Sequence, residues 1–371
     1  MADRLRIGIV GCGDVAHRRY LPALASRSDR VSVAAFADPT SGAAEAAAAA
    51  AEAWSPGARI YGDAGEMLTA ERLDGVINLT PAPVHGRVNR AILAHGVACY
   101  SEKPLAASVP EADALIDLAR SSNVAFLCAP GSAATSRVRW LRDLAGTGPL
   151  GRPTLVVAHY ADAGPADWLE YTGDPRPFYQ PGVGPVFDHG VYRLHEITTV
   201  LGPVRRVQAM GTIAKPLRSI RGGPLRGQTF DVGTYDHVLV HLEFASGVLG
   251  QLLASYGTVA TLAPWLELHL EHGVASFRGE PWDPNAPVTV FTETDPAAPA
   301  DAGLGAWAGD VEIPRDPFGA VEIGALHFIA VLLDEEEPVL TAEHARHILD
   351  IVLKAYASIE DGASHETETT F

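Results

Sequence analysis

The chain has 371 residues, 47% hydrophobic and 20% charged, values that exclude a disordered or fibrous protein, and at roughly 150 residues per domain it is long enough for two. Lys plus Arg total 28 against 45 Asp plus Glu, a formal net charge of −17. So acidic a surface repels phosphate backbones, which argues against nucleic acid or an anionic membrane as partner.

Cys12, Cys99 and Cys128 are too few and too scattered for a disulfide framework or a zinc cage. No metal is expected. The first apolar run is only strand-length, no signal core precedes a cleavage site, and no window reaches the ~18 apolar residues of a membrane span. The expectation is a protein of the reducing, cytoplasmic compartment.

In chain order, a short strand from Leu5 leads through a glycine turn into a helix reaching about Leu24. A second strand, Val31 to Ala37, stops at Asp38. The segment 42–53 is nearly all alanine and glutamate and reads as a helix, since alanine has the best helix propensity. Strand Gly75 to Leu79, helix Val84 to His95, strand Val97 to Tyr100, helix Pro110 to Ser121 and strand Val124 to Cys128 follow. This alternation predicts a parallel sheet with right-handed crossovers, an α/β Rossmann domain over 1–130.

Beyond about residue 150 strands follow one another without helices: Thr154–Tyr160, Val204–Ile213, Tyr235–Phe244, Val248–Tyr256, Trp265–His272, Ala275–Arg278 and Val288–Thr292. Ala245-Ser246-Gly247 reads as a hairpin turn. They predict an α+β domain over 131–371 with a large, mostly antiparallel, open-faced sheet. Helices at Phe318–Leu333 and Ala342–Ile359, within 318–360, are expected to pack back on the Rossmann domain. The proline- and alanine-rich stretch Pro281 to Pro317 reads in part as exposed loop.

Gly11-x-Gly13-x-x-Ala16 follows a strand and opens a helix, the context that the dinucleotide fingerprint demands. Gly11 allows the tight turn, Gly13 admits a pyrophosphate against the backbone, and Ala16 lets helix and strand pack closely. Asp14 and Val15 fall in the helix N-terminus, whose N–H groups and partial positive charge suit phosphates. Asp38 lies 25 residues after Gly13 at the end of the second strand. Its carboxylate there accepts ribose hydroxyls and repels a 2′-phosphate, and no Lys or Arg follows within ten residues. NAD is favoured, with NADP open.

Three further segments point to a site. Thr80-Pro81-Ala82-Pro83-Val84-His85 and Ser101-Glu102-Lys103-Pro104 follow strands, where open α/β sheets bind ligands. Gly182-Val-Gly-Pro-Val-Phe-Asp188-His-Gly190-Val-Tyr192-Arg-Leu-His195 lies beyond the change of pattern. In these motifs, their order and their spacing the chain resembles the glucose-fructose oxidoreductase / inositol dehydrogenase (Gfo/Idh/MocA) family over nearly its whole length. The resemblance implies that Lys103 is the catalytic lysine, with the Lys103–Pro104 peptide cis. It implies that Asp188 helps hold substrate and lysine. Tyr192 falls where many members have a catalytic histidine, as in the branch with tyrosine in a Gly-Val-Tyr run. It also implies cofactor contacts by Thr80, Pro81, His85, Glu102 and Lys103, a sugar, cyclitol or polyol substrate, and a homodimer or homotetramer built on the open sheet.

The chemistry agrees. Oxidising a secondary alcohol requires the hydroxyl proton to leave as hydride moves. A helix starting near Asp188 sets Asp188 and Tyr192 on one face, with His195 and Glu196 on the next turn. A tyrosine, ordinarily titrating near about 10, serves as base only if a cation such as Lys103 stabilises its phenolate. Tyr179, ahead of the glycine stretch, is expected at the substrate with Lys103, Asp188, Tyr192 and His195, with a packed loop as the alternative reading of its segment. Plainer readings remain beside these: Asp188 as a helix N-cap, Tyr192 as a core aromatic, His85 as a first-turn residue, His195 as the alternative proton carrier. Two rival functions also stand, a glycoside hydrolase or lyase using transient oxidation by NAD, and a non-catalytic nucleotide- and sugar-binding regulator.

Overall fold

Near-continuous apolar runs in the first third of the chain form strands buried on both faces, as a parallel sheet requires. The computed structural model describes residues 4–280, 282–295, 297 and 303–371. Its strands β1 (Leu5–Val10), β2 (Val31–Ala37), β3 (Arg59–Tyr61), β4 (Gly75–Asn78), β5 (Ala98–Ser101) and β6 (Phe126–Cys128) form a six-stranded sheet in the order β3-β2-β1-β4-β5-β6. All its pairings are parallel. The order reverses between β1 and β4, so a crevice opens at their carboxyl ends.

Helices α1 (Leu21–Ala25), α2 (Ala43–Ala51), α3 (Ala64–Ala70), α4 (His85–Ala94) and α5 (Val109–Ser122) cover the two faces. A wide π-type turn, Ala16–Tyr20, runs into α1; Pro22 has no N–H to give the carbonyl one turn back. β3 and α3 were not foreseen, although Asp63 marks the start of α3. Its carboxylate accepts from the N–H groups of Gly65 and Glu66, a cap visible as Asp63-x-x-Glu66. The helix Ala320–Leu332 completes this unit. Its Phe328 and Ile329 are wholly buried with Ile7, Ile9 and Tyr100, and Gly131 meets its backbone where a Cβ would stand 2.2 Å from the Ala320 carbonyl. The unit comprises residues up to Thr135 and Asp316–Leu349.

The other compact unit spans Ser136–Arg315 and Asp350–Phe371. After α6 (Ser136–Thr147) come β7 (Pro153–Ala161), α7 (Val191–Leu201), β8 (Val204–Thr212), a small ribbon of β9 (Leu217–Ser219) and β10 (Thr229–Asp231), β11 (His237–Phe244), β12 (Leu249–Ser255), β13 (Leu266–Leu270), β14 (Gly273–Phe277), β15 (Val288–Glu293) and β16 (Gly305–Asp310). With β17 (His365–Glu366) they give a nine-stranded sheet, β16-β15-β14-β13-β7-β12-β11-β8-β17. It is antiparallel except where β7 meets β12 in parallel; the long connection between these two, with α7 in it, has room for the crossover that parallel pairing needs. β16 lies in the stretch read as loop; Pro281, Pro296 and 298–302 of that stretch are outside the described residues. Helices α8, the Ala320–Leu332 helix above, and α9 (Ala342–Asp361) close the chain.

Strand burial alternates. Val238, Val240, Leu242 and Phe244 of β11 are buried, while Leu239 and His241 between them are exposed. α7 and the π turn before it lie on the buried face, where a Cβ on Gly190 would touch Leu252 and Ala254 at 3.4 to 3.5 Å. Among the described residues no helix is long and apolar enough to cross a membrane.

Candidate functional site

At the end of β1 the chain turns through Gly11, with φ at +90° and a hypothetical Cβ 2.6 Å from the Leu79 backbone. Only glycine fits there. A Cβ on Gly13 would meet nothing within 4 Å, so the open space beside it belongs to no protein atom. Ala16 is wholly buried, packing the helix on the sheet. Asp14 is exposed and pairs with Arg18 one turn on, and Val15 is half-buried beside it. The Asp38 carboxylate accepts the Cys12 N–H at 2.7 Å and the Thr40 N–H at 2.7 Å, which ties β2 to the glycine turn and leaves each oxygen a further acceptor site. Burial, reinforced by the charge of Asp38, pushes the Cys12 thiol up to about 12 and so keeps it protonated at neutral pH. A backbone cradle, an N-terminal helical turn and a strand-end carboxylate together fit a dinucleotide.

The ends of β4 and β5 carry the next residues. The Thr80 hydroxyl donates to Asn78 Oδ1 at 2.7 Å, the Asn78 amide to Asn89 Oδ1 at 2.8 Å, and the Asn89 amide to Ser101 Oγ at 2.9 Å and the Leu105 carbonyl at 3.1 Å. This buried chain fastens α4 to both strand ends and so holds the loop that bears Lys103. The Lys103–Pro104 peptide is cis. Glu102 accepts the Tyr20 hydroxyl at 2.6 Å and the Lys103 N–H at 3.0 Å. His85 is buried, with ring nitrogens 2.5 Å from the Thr80 carbonyl and 2.8 Å from that of Pro104. The ring is thus enclosed between the two loops, with an N–H donating to one carbonyl or the other according to tautomer, whereas a cofactor contact was expected. Pro81 is exposed on the first of them. Asn78 and Asn89 were missed; the one amide inside the apolar run Gly75-Val-Ile-Asn78-Leu79 was their signal.

In the second unit a π turn, Val186–Gly190, feeds α7 and places Asp188 one turn ahead of Tyr192. Both are buried, at 7% and 6% exposure. Asp188 Oδ2 accepts the Tyr256 hydroxyl at 2.6 Å and lies 3.5 Å from His189 Nε2. Burial, then the Asp188 charge, raises the Tyr256 phenol far above its ordinary range, so it stays a donor. The His189 ring stands among aromatics, 4.2 Å from Tyr160, 4.9 Å from Trp282 and 5.3 Å from Trp168. Tyr192 meets Trp282 at 5.2 Å. His195 is buried further along α7.

Tyr179, expected to touch substrate, is instead wholly buried. Its hydroxyl accepts the Ala166 N–H at 3.1 Å and its ring packs 5.4 Å from Tyr256. It buttresses the tyrosine that donates to Asp188, because a large aromatic at a loop base is worth most inside an apolar cluster. Tyr256, Tyr160 and Trp282 escaped notice because each comes from a different strand end or loop. The glutamate on α7, Glu196, is pushed up to about 7 by burial, against the pull of Arg193 at 2.6 Å. Among the described residues no group of three or more His, Cys, Asp or Glu is placed to hold a metal ion.

A family model described as an oxidoreductase family with an NAD-binding Rossmann fold matches residues 5–129, and the model of the GFO/IDH/MocA C-terminal domain matches residues 138–276. A dTDP-3,4-didehydro-2,6-dideoxy-alpha-D-glucose 3-reductase of Streptomyces violaceoruber is 30% identical over 264 residues, 69% of this chain and 72% of that one. A D-xylose 1-dehydrogenase (NADP(+)) of Haloferax volcanii is 23% identical over 98% of this chain and 100% of its own. Among solved structures, an NAD binding oxidoreductase from Klebsiella pneumoniae superposes with a TM-score of 0.80 at 20% identity, covering 98% of this chain and 99% of the other.

Proposed function

The chain belongs to the Gfo/Idh/MocA family of NAD-binding oxidoreductases, and from that we propose that it moves hydride between nicotinamide and a hydroxyl or carbonyl of a sugar, cyclitol or related polyol, with Lys103 and Tyr192 handling the proton. It is an NAD(P)-dependent dehydrogenase or reductase of CH–OH groups. The observation that carries the finer reading is the buried Asp188 carboxylate, held by Tyr256 one turn ahead of Tyr192. In our reading the first unit holds cofactor, through Gly11, Gly13, Asp14, Val15, Ala16, Asp38, Thr80, Pro81 and Glu102, and the second holds substrate and makes the oligomer.

A nicotinamide held there would supply hydride transfer to or from the substrate carbon. Tyr192 takes the substrate's hydroxyl proton at its phenol oxygen, or gives it back in reduction. Asp188, its carboxylate fixed by Tyr256, accepts a substrate hydroxyl and orients the ring. The Lys103 ammonium stabilises negative charge on the phenolate and on the substrate oxygen. Trp282 and Tyr256 keep water from the buried Tyr192 and Asp188. The carboxylate of Asp38 supports NAD over NADP. The test is a panel of sugars, inositols and keto-sugars scored for net change in reduced nicotinamide. Turnover of at least one supports the reading; a redox-silent protein that cleaves glycosides contradicts it.

The outward face of the second sheet supports a homo-oligomer. Met210 pairs across from Leu239, and Leu249 from Leu155, and all four are exposed. Such an apolar patch calls for cover. Light scattering should find a dimer or tetramer at micromolar concentration, and a monomer would contradict the assignment. The three buried free thiols support a cytoplasmic setting.

A further inference from the structure

The two relatives differ in one chemical respect: the Streptomyces reductase is named for a nucleotide-linked sugar and the Haloferax dehydrogenase for a free one. A cavity of about 360 Å³ in the second unit bears on which kind of substrate this chain takes. Its walls include His159, Tyr160 and Asp162 at the end of β7, Trp265 before β13, and Glu280 and Trp282 after β14. Trp282 belongs to two places at once, since its ring packs on Tyr192 at 5.2 Å and on Tyr160 at 5.4 Å. A molecule in the cavity therefore shares a wall with the proposed acid/base.

Three rings and two carboxylates give this cavity its chemistry. Flat apolar faces receive the C–H face of a pyranose, and carboxylate oxygens accept its hydroxyl protons. Asp162 is fixed for that purpose. It accepts from the Tyr160 hydroxyl at 3.0 Å, the Trp168 indole at 3.1 Å and the Gly164 N–H at 2.8 Å. The indole N–H of Trp265 is buried with no acceptor among the described residues, and an entering oxygen beside it would recover that hydrogen bond.

The lining lacks the cations that hold a diphosphate. It includes no Lys or Arg, the residues that grip phosphate oxygens. Arg278, near Glu280 in the chain, lies over the Trp307 ring at 5.4 Å. Arg193 stacks on Trp265 at 4.3 Å, but it is buried and paired with Glu196. Burial lowers His159, which makes it neutral at pH 7. Two carboxylates facing a phosphate with no intervening cation repel it.

We infer that this cavity is a subsite for an uncharged saccharide ring, which selects neutral sugars and glycosides over nucleoside-diphosphate sugars. The inference rests on the reading of the chain as a sugar oxidoreductase. The experiment is calorimetric titration of the NAD-loaded protein with D-glucose, D-xylose, myo-inositol, cellobiose and dTDP-glucose. It is repeated on Trp282→Ala and on Glu280→Lys, an exposed charge reversal that spares the fold. At least one neutral sugar should bind about tenfold or more tighter than dTDP-glucose, with Trp282→Ala weakening it about tenfold. Glu280→Lys should narrow the gap. Equal or tighter binding of dTDP-glucose, no binding by any neutral sugar, or a preference that Glu280→Lys leaves unmoved overturns the subsite. Selective binding without turnover of any sugar would uphold the subsite and reject the redox reading.

Discussion

At the carboxyl end of the parallel sheet the groups set out for a ligand are mostly main-chain atoms, whereas on the mixed sheet they are side chains. The first arrangement needs a run of residues with the right backbone, Gly11 to Ala16, and one carboxylate, Asp38, that braces it through the Cys12 N–H. The second draws on strand ends far apart in the chain: Asp188 is held by Tyr256, 68 residues away, while Tyr160 and Trp282 flank His189. A main-chain cradle tolerates most substitutions except at the glycine that shapes it. A side-chain cluster fails when any one functional atom is removed, yet its backbone survives.

The sharpest break falls on the side-chain half. Tyr192→Phe removes one oxygen and should lower kcat about 10²–10⁴-fold, the usual worth of a general acid–base, with cofactor affinity unchanged by fluorescence titration. Lys103→Ala should lose at least as much, while His195→Asn keeps most of its activity. A collapse of the histidine variant with an active Tyr192→Phe would move the proton path to His195.

On the main-chain half, Gly11→Ala meets two penalties. The left-handed backbone costs an alanine about 1–2 kcal/mol, and its methyl, 2.6 Å from the Leu79 backbone, adds strain of about 1–3 kcal/mol. Urea unfolding should report a loss of that order together with loss of cofactor binding. A protein of unchanged midpoint would refute the close approach.

How much of this was open to reading from the residues follows the same division. Gly11, Gly13 and Asp38 stand in a contiguous strand–turn–helix, so local rules reach them. Lys103 and Asp188 were singled out through short motifs. Tyr256 was not, because its partner is set by the pairing of β12 with β7 and the docking of α7. Tyr179 misled for a related reason: a tyrosine beside a glycine loop looks like a pocket wall, and only packing against Tyr256 and Phe230 reveals a core residue. In the fold, the strands of both sheets were largely visible as apolar runs. Short β3 and β16 were not, being exposed along much of their length.

Two smaller effects sharpen the contrast. Glu196, whose carboxyl burial raises from 4.5 to about 7, holds its proton more tightly folded than unfolded. Stability should therefore fall as pH rises through that window and level off above it, by at most about 1.4 kcal/mol per pH unit. Glu196→Gln should flatten the slope in urea midpoints taken across the window; an unchanged slope would assign it to other groups. Asp38→Ser with Pro39→Arg should shift the NAD-to-NADP ratio of kcat/KM by about tenfold toward NADP, as one removed repulsion and one added cation imply. Equal kcat/KM with both cofactors in the parent protein would contradict the role of Asp38.

The central claim is that Lys103 and Tyr192 act on one proton as a unit, and the double variant Lys103→Ala/Tyr192→Phe tests it most directly. Residues that work together lose their effect once, not twice. The account predicts that kcat of the double variant falls no more than about tenfold below the weaker single variant. A loss equal to the product of the two single losses would show that lysine and tyrosine act independently, and would contradict it.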